Sequence, residues 1–99
     1  MRNTRQRAIP NCLRRYRKAR GLKQKEVAKI LGLKSASMIS RWERGLCLPS
    51  TLNLFRLAAL YRTMVDALLI DLLRELREDL HKREEEVLMG SNYEKGEPS

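Results

Sequence analysis

Apolar residues recur along this chain at helical spacing, in short segments separated by glycine, proline and small polar residues. Residues 1–10 (MRNTRQRAIP) carry no such period; they are polar and basic, end in Pro10, and read as a flexible basic arm. Leu13, Tyr16, Arg17 and Arg20 then share one helix face, with Asn11 placed to cap its start and Gly21 to close its end. Val27, Ala28 and Leu31 form the stripe of a second short helix, starting near Lys23 and stopped by Gly32. Residues 33–35 connect it to a third helix, capped by Ser35 or Ser37, which carries Met38, Ile39 and Trp42 inward and ends at Gly45. After a loop at 46–49, Ser50 caps a strongly apolar fourth helix with Leu54, Phe55, Leu57, Ala58 and Tyr61, broken at Arg62-Thr63. A long fifth helix over about 64–89 presents Leu68, Leu69, Leu72, Leu73, Leu76 and Leu80 on one wide face. Residues 90–99 read as a disordered tail. With no period-two alternation and no hairpin dipeptide, the pattern predicts an all-α fold of five helices.

A chain of 99 residues has room for one domain and one modest core. The net charge of +9 is spread unevenly. Residues 1–62 hold 16 Lys and Arg against two acids, Glu26 and Glu43, a net of +14; residues 63–99 hold 5 against 10, a net of −5. A basic front joined to an acidic back suggests one face for a polyanion and an end that avoids it. Cys12 and Cys47 lie far apart and match neither a zinc spacing nor a disulfide framework, which suits free thiols in a reducing cytosol. No apolar run follows the Arg-rich start, and no stretch approaches the ~20 apolar residues of a membrane span, so a soluble, cytoplasmic protein is expected.

Two short helices joined by a tight turn, the second bracketed by basic residues, follow the helix-turn-helix plan. Residues 11–69 resemble the DNA-binding domain of lambda-repressor and Cro-like proteins. The resemblance is carried by Leu13 and Arg17; Gly21-Leu22, Gln24, Val27-Ala28 and Leu31-Gly32; Ile39-Ser40-Arg41 and Glu43-Arg44-Gly45; Pro49-Ser50; Leu54 and Leu57-Ala58; and Asp66 with Leu68-Leu69. It implies a helix-turn-helix domain over 11–73, a third helix that reads double-stranded DNA, and a Cro/C1-type transcription regulator of the repressor kind. The chain departs from the family twice. Six residues separate Gly32 from Ile39, one more than in most members, and Arg62-Thr63-Met64 stands where a Gly turn before a Ser cap is usual. The recognition helix, about 36–44, is therefore registered from Ile39 and Glu43, which must face the core.

That register leaves Ala36, Ser37, Ser40, Arg41 and Arg44 on the outer face. Arg41 suits a bidentate contact with guanine, with a phosphate contact as the other reading; Ser37 and Ser40 offer hydroxyls, and Ala36 a methyl contact with thymine. By resemblance, Gln24 clamps a phosphate at the start of helix two, where the helix N-terminus adds backbone donors. Lys23, Lys34, Ser35 and Arg44 flank the groove and suit phosphate neutralisation. Arg2, Arg5 and Arg7 on the arm either enter a minor groove or fray. Arg17 and Glu43 match a family ion pair between helix one and the recognition helix, and Trp42 reads as core.

Leu69, Leu73, Leu76 and Leu80 follow 4-3-4 spacing, and Val87 falls seven beyond, with Arg83 interrupting the seam. Residues 74–89 would extend past the domain's own core, which suggests homodimerisation; a solvated helix end is the other reading. An alternative function is an antitoxin-like or partner-binding module that uses this acidic helix to engage another protein. Enzymatic activity is not expected. The only histidine, His81, sits among charged residues, and there is no catalytic constellation, Gly-rich phosphate loop, cofactor motif or metal spacing.

Overall fold

The computed structural model describes residues 7–93, all of whose regular structure is helical: α1 (Leu13–Ala19), α2 (Gln24–Leu31), α3 (Ser37–Glu43), α4 (Thr51–Tyr61), α5 (Val65–Leu68) and α6 (Ile70–Tyr93). Each early helix starts on a local hydrogen bond of its own. Asn11 Oδ1 accepts from Leu13 N–H at 3.0 Å and opens α1. The Glu26 carboxylate accepts from Lys23 N–H at 2.8 Å at the start of α2 and places its charge in the first turn. Ser35 Oγ receives Ser37 N–H at 3.3 Å ahead of α3, and Ser50 Oγ receives Asn53 N–H at 3.2 Å ahead of α4.

The helices converge on one core. Leu13, Val27, Ile39, Leu57 and Leu68 are its fully buried aliphatic centre, with Trp42 and Tyr61 beside them. α3 packs against both α1 and α2, α4 against α5, and α5 leads into α6. The Arg56 guanidinium, on α4, donates to the Leu31 carbonyl at 2.8 Å and so takes up one of the orphan acceptors at the end of α2.

Three features differ from the sequence pattern. Met38, expected to face inward, is exposed, and so is Phe55 of the apolar fourth helix, at 60%. The ten-residue core is filled by Ile39, Trp42, Leu57, Ala58, Tyr61 and their partners on α1, α2 and α5. The predicted fifth helix is two helices, broken at Leu69 (φ −122°). The Leu68 carbonyl accepts from Cys12 N–H at 2.8 Å, so a tertiary bond takes an acceptor that a continuous helix would have used. Finally, α6 runs through Gly90 to Tyr93, past the boundary expected at 89.

The molecule is elongated, 59 × 36 × 21 Å, with a radius of gyration of 18.5 Å against about 13 Å for a compact chain of this length. α6 accounts for the excess: every residue from 74 to 89 is exposed.

Candidate nucleic-acid interface

The α2–turn–α3 unit presents α3 with one side buried and one side free. Ile39 is 1% exposed and Trp42 4%, and both sit in the core. On the opposite side Ser37, Arg41 and Arg44 are exposed, and Ser40 is half-buried. Ala36, at the N-terminal boundary of α3, is half-buried against the core. Lys23, Lys34 and Ser35 are exposed around the same end of the unit, and the Ser35 and Ser37 hydroxyls are hydrogen-bonded to each other at 2.9 Å.

What fixes α3 is a buried polar cluster beneath it. Arg17 Nε donates to Glu43 Oε2 at 2.6 Å and Arg17 Nη2 to Glu43 Oε1 at 3.0 Å, a bidentate pair whose side chains are only 9% and 4% exposed. The third Arg17 nitrogen donates to the Leu22 carbonyl at 2.8 Å. Gln24 Nε2 donates to Glu43 Oε1 at 2.9 Å, so the first residue of α2 is clamped to the last residue of α3. The bond to Glu43 raises the Arg17 pKa above its usual range despite the opposing effect of burial, and the guanidinium stays charged. Burial, reinforced by the Glu43 charge, pushes the Tyr61 phenol well above its usual range, so Tyr61 is a neutral core residue.

Two clefts flank α3. One runs between α2 and the turn over an apolar floor of Ala28 and Leu33, with Lys23, Lys25, Lys29 and Lys34 outnumbering Glu26 around it. The other lies in front of the ion pair and is bordered by Arg14, Gln24, Ser40 and Arg44. Glu43 forms its floor, but that carboxylate is already engaged by Arg17 and Gln24, so the free charge at the rim is positive. The structure therefore brings Gln24, Ser40 and Arg44 together with Arg14, which the sequence reading did not single out. Its signal was available: Arg14 lies three residues before Arg17 and shares its side of α1. Lys25 and Lys29 on α2 add positive charge to the other cleft.

The leucines of the expected seam divide into two groups. Leu69 and Leu73 are half-buried beside Val65 and Leu72, whereas Leu76 and Leu80 are exposed, at 46% and 57%. Among the described residues no three His, Cys, Asp or Glu side chains gather as a metal site, and no helix is long and apolar enough to cross a membrane.

A comparison with family models matches residues 13–67 to the family described as helix-turn-helix. The chain belongs to the lambda-repressor/Cro-like helix-turn-helix family. This family is a DNA-binding, non-enzymatic one, and membership assigns the chain a DNA-binding role of the transcription-regulator type. No curated protein and no solved structure matches the chain. The matched span covers α1 to α5 and leaves the projecting α6 outside it.

Proposed function

We propose that this protein is a sequence-specific, repressor-like transcription regulator whose α3 lies in the major groove of double-stranded DNA. The observation that carries this reading is the exposed, cation-flanked face of α3 above a buried brace: Ser37 and Arg41 free, Ser40 half-free, Glu43 fixed from below. A helix of this size fits the major groove, and a guanidinium such as that of Arg41 pairs bidentately with guanine O6 and N7. Lys23, Gln24, Lys34, Ser35 and Arg44 contact phosphates and set the register. Ala36, half-buried against the core at the start of α3, has only the free part of its methyl to offer a thymine. Arg14 adds a phosphate contact at the rim of the cleft it shares with Gln24, Ser40 and Arg44.

α6 makes the protein a homodimer through Leu69, Leu73, Leu76 and Leu80, and a dimer reads a two-fold symmetric operator. A second reading is favoured by one observation: the exposed stretch 74–89 is rich in acids, which suits an antitoxin-like or partner-binding role for α6 alongside DNA binding.

The test is selection of bound duplexes from a random library, followed by affinity measured across salt concentrations. With about six phosphates neutralised per subunit, log K should fall against log[salt] with a slope of about −5 per subunit. Arg14→Gln should make that slope shallower by about 0.9 and leave the selected sequence unchanged. A wild-type slope near zero would remove DNA binding by this face. The mass of the bound complex separates a homodimer from a hetero-complex.

A further inference from the structure

Of the segment expected to be a flexible basic arm, Arg2 and Arg5 lie outside the described residues, whereas residues 7–10 are held against the fold and lie across the C-terminal end of α3. Ile9 N–H donates to the Gly45 carbonyl at 2.9 Å. Asn11 Nδ2 donates to the carbonyls of Ile9 at 3.0 Å and Trp42 at 3.2 Å, with the Glu43 carbonyl at 3.4 Å. Its Oδ1 meanwhile accepts from Leu13 N–H. One side chain thus serves the start of α1 and the end of α3 together. The approach is so close that a Cβ on Gly45 would stand 2.5 Å from Ile9 O and 2.6 Å from Ile9 N, and Gly45 itself has φ +74°. On the far side, Cys12 N–H is bonded to the Leu68 carbonyl and Arg7 pairs with Glu75 of α6 at 3.2 Å.

From this arrangement we infer that residues 7–12 act as a strap that sets the angle of the reading helix, with Asn11 as the positioning residue. This rests on the reading of α3 as the base-reading element. α3 has only seven residues; Gly45 N–H and Leu46 N–H close its end on the Trp42 and Arg41 carbonyls, and the Asn11 amide adds a bond from another segment there. Ile39 and Trp42 seat it in the core, and Glu43 fixes it through Arg17 and Gln24. The Asn11 and Ile9 bonds add a polar constraint at its C-terminal end, and so limit the small tilt that core packing by itself would allow. Base readout is sensitive to such a tilt because bidentate bonds require heavy atoms within a few tenths of an ångström of their ideal separation. Phosphate contacts through long Lys and Arg side chains follow a small tilt without loss. Loosening the strap therefore separates specific from non-specific binding, which loss of overall stability does not do.

The experiment compares wild type, Asn11→Ala and Asn11→Asp on two probes: a duplex selected by the wild-type protein from a random library and a scrambled duplex of equal length. Asn11→Asp keeps the oxygen that opens α1 but sets a carboxylate against the carbonyls at the end of α3. Circular dichroism fixes a temperature at which the proteins tested are folded. Both variants should lose about tenfold or more in affinity for the selected duplex, the equivalent of one bidentate base contact. Binding to the scrambled duplex and its salt slope should stay at the wild-type value. An unchanged ratio between the two probes, or an equal fall on both, overturns the strap. Should Asn11→Ala not fold, the Asn11→Asp ratio alone decides. A wild type that prefers no sequence overturns base readout by α3, and the strap with it; a preference that survives in the variants overturns the strap alone.

Discussion

Glu43 is the residue on which the geometry of the interface turns. Its carboxylate accepts from Arg17 twice and from Gln24 once, almost out of reach of water. Removing it leaves a buried guanidinium without a counter-charge, a loss of about 3–5 kcal/mol in comparable sites. That is a large share of the ~5–15 kcal/mol that holds a typical domain together. We expect Glu43→Ala to be largely unfolded near body temperature by circular dichroism. The double replacement Arg17→Met with Glu43→Leu should be markedly less damaging, because no charge is left behind. Arg41 is the opposite kind of residue: exposed, absent from the ion pairs of the described residues, and not needed for the core. Arg41→Ala should leave the melting curve in place, cost about 1–3 kcal/mol on the selected duplex and flatten preference at one base position. A preference matrix that does not change would assign Arg41 to phosphate.

Among the elements, α4 ends in an unusual way. Its last turn closes on Arg62, the only non-glycine residue with positive φ among those described (φ 59°). Thr63 N–H reaches back to the Ala58 carbonyl at 2.9 Å and Arg62 N–H to Ala59 at 3.3 Å, the same closure that glycines provide for α1, α2 and α3. A Cβ in this conformation costs on the order of 1–2 kcal/mol, which glycine avoids. Arg62→Gly should therefore raise the melting temperature by a few degrees, since about 1 kcal/mol corresponds to ~4–8 °C in a domain of this size. A lower melting temperature would mean that the Arg62 side chain holds the turn. The break between α5 and α6 is of another kind. No glycine or proline marks it; it arises where Cys12 N–H captures the Leu68 carbonyl.

At the scale of the molecule, the question is what α6 does beyond the domain. Its 24 residues amount to about 36 Å of helix, and residues 74–89 are exposed throughout. An apolar seam left uncovered along one side of it argues for a partner. Leu76 and Leu80 lie on that outer part and Leu73 at its base, half-buried. Leu76→Asp with Leu80→Asp should convert a dimeric mass to a monomeric one in sedimentation or light scattering, with the α1–α5 fold retained. The selected site should then shrink from a two-fold repeat to a single half-site. A monomeric wild type would leave the hetero-complex reading as the account of α6.

Much of this was legible in the sequence because it is local. Helix spacing, glycines after α1, α2 and α3, Asn11 and Ser50 at helix starts, and the division between basic and acidic halves follow from residues a few positions apart. The family resemblance located Arg17, Gln24 and Glu43, and the register from Ile39 and Glu43 turned Ser37 and Arg41 outward. Distance along the chain hid the rest. Phe55 and Met38 fit the stripe of their helices, yet a small core has a fixed volume, and other residues fill it. Arg14 joins the cleft only because α1 is laid against α3. Asn11 meets the end of α3, and Cys12 interrupts α5 and α6, through bonds spanning tens of residues that no local period encodes. Which segments are helical and where the charge lies follow from the order of residues, since both are properties of close neighbours. Tertiary structure alone decided how the reading helix is held at its far end and which leucines are left uncovered, since both depend on what packing brings together.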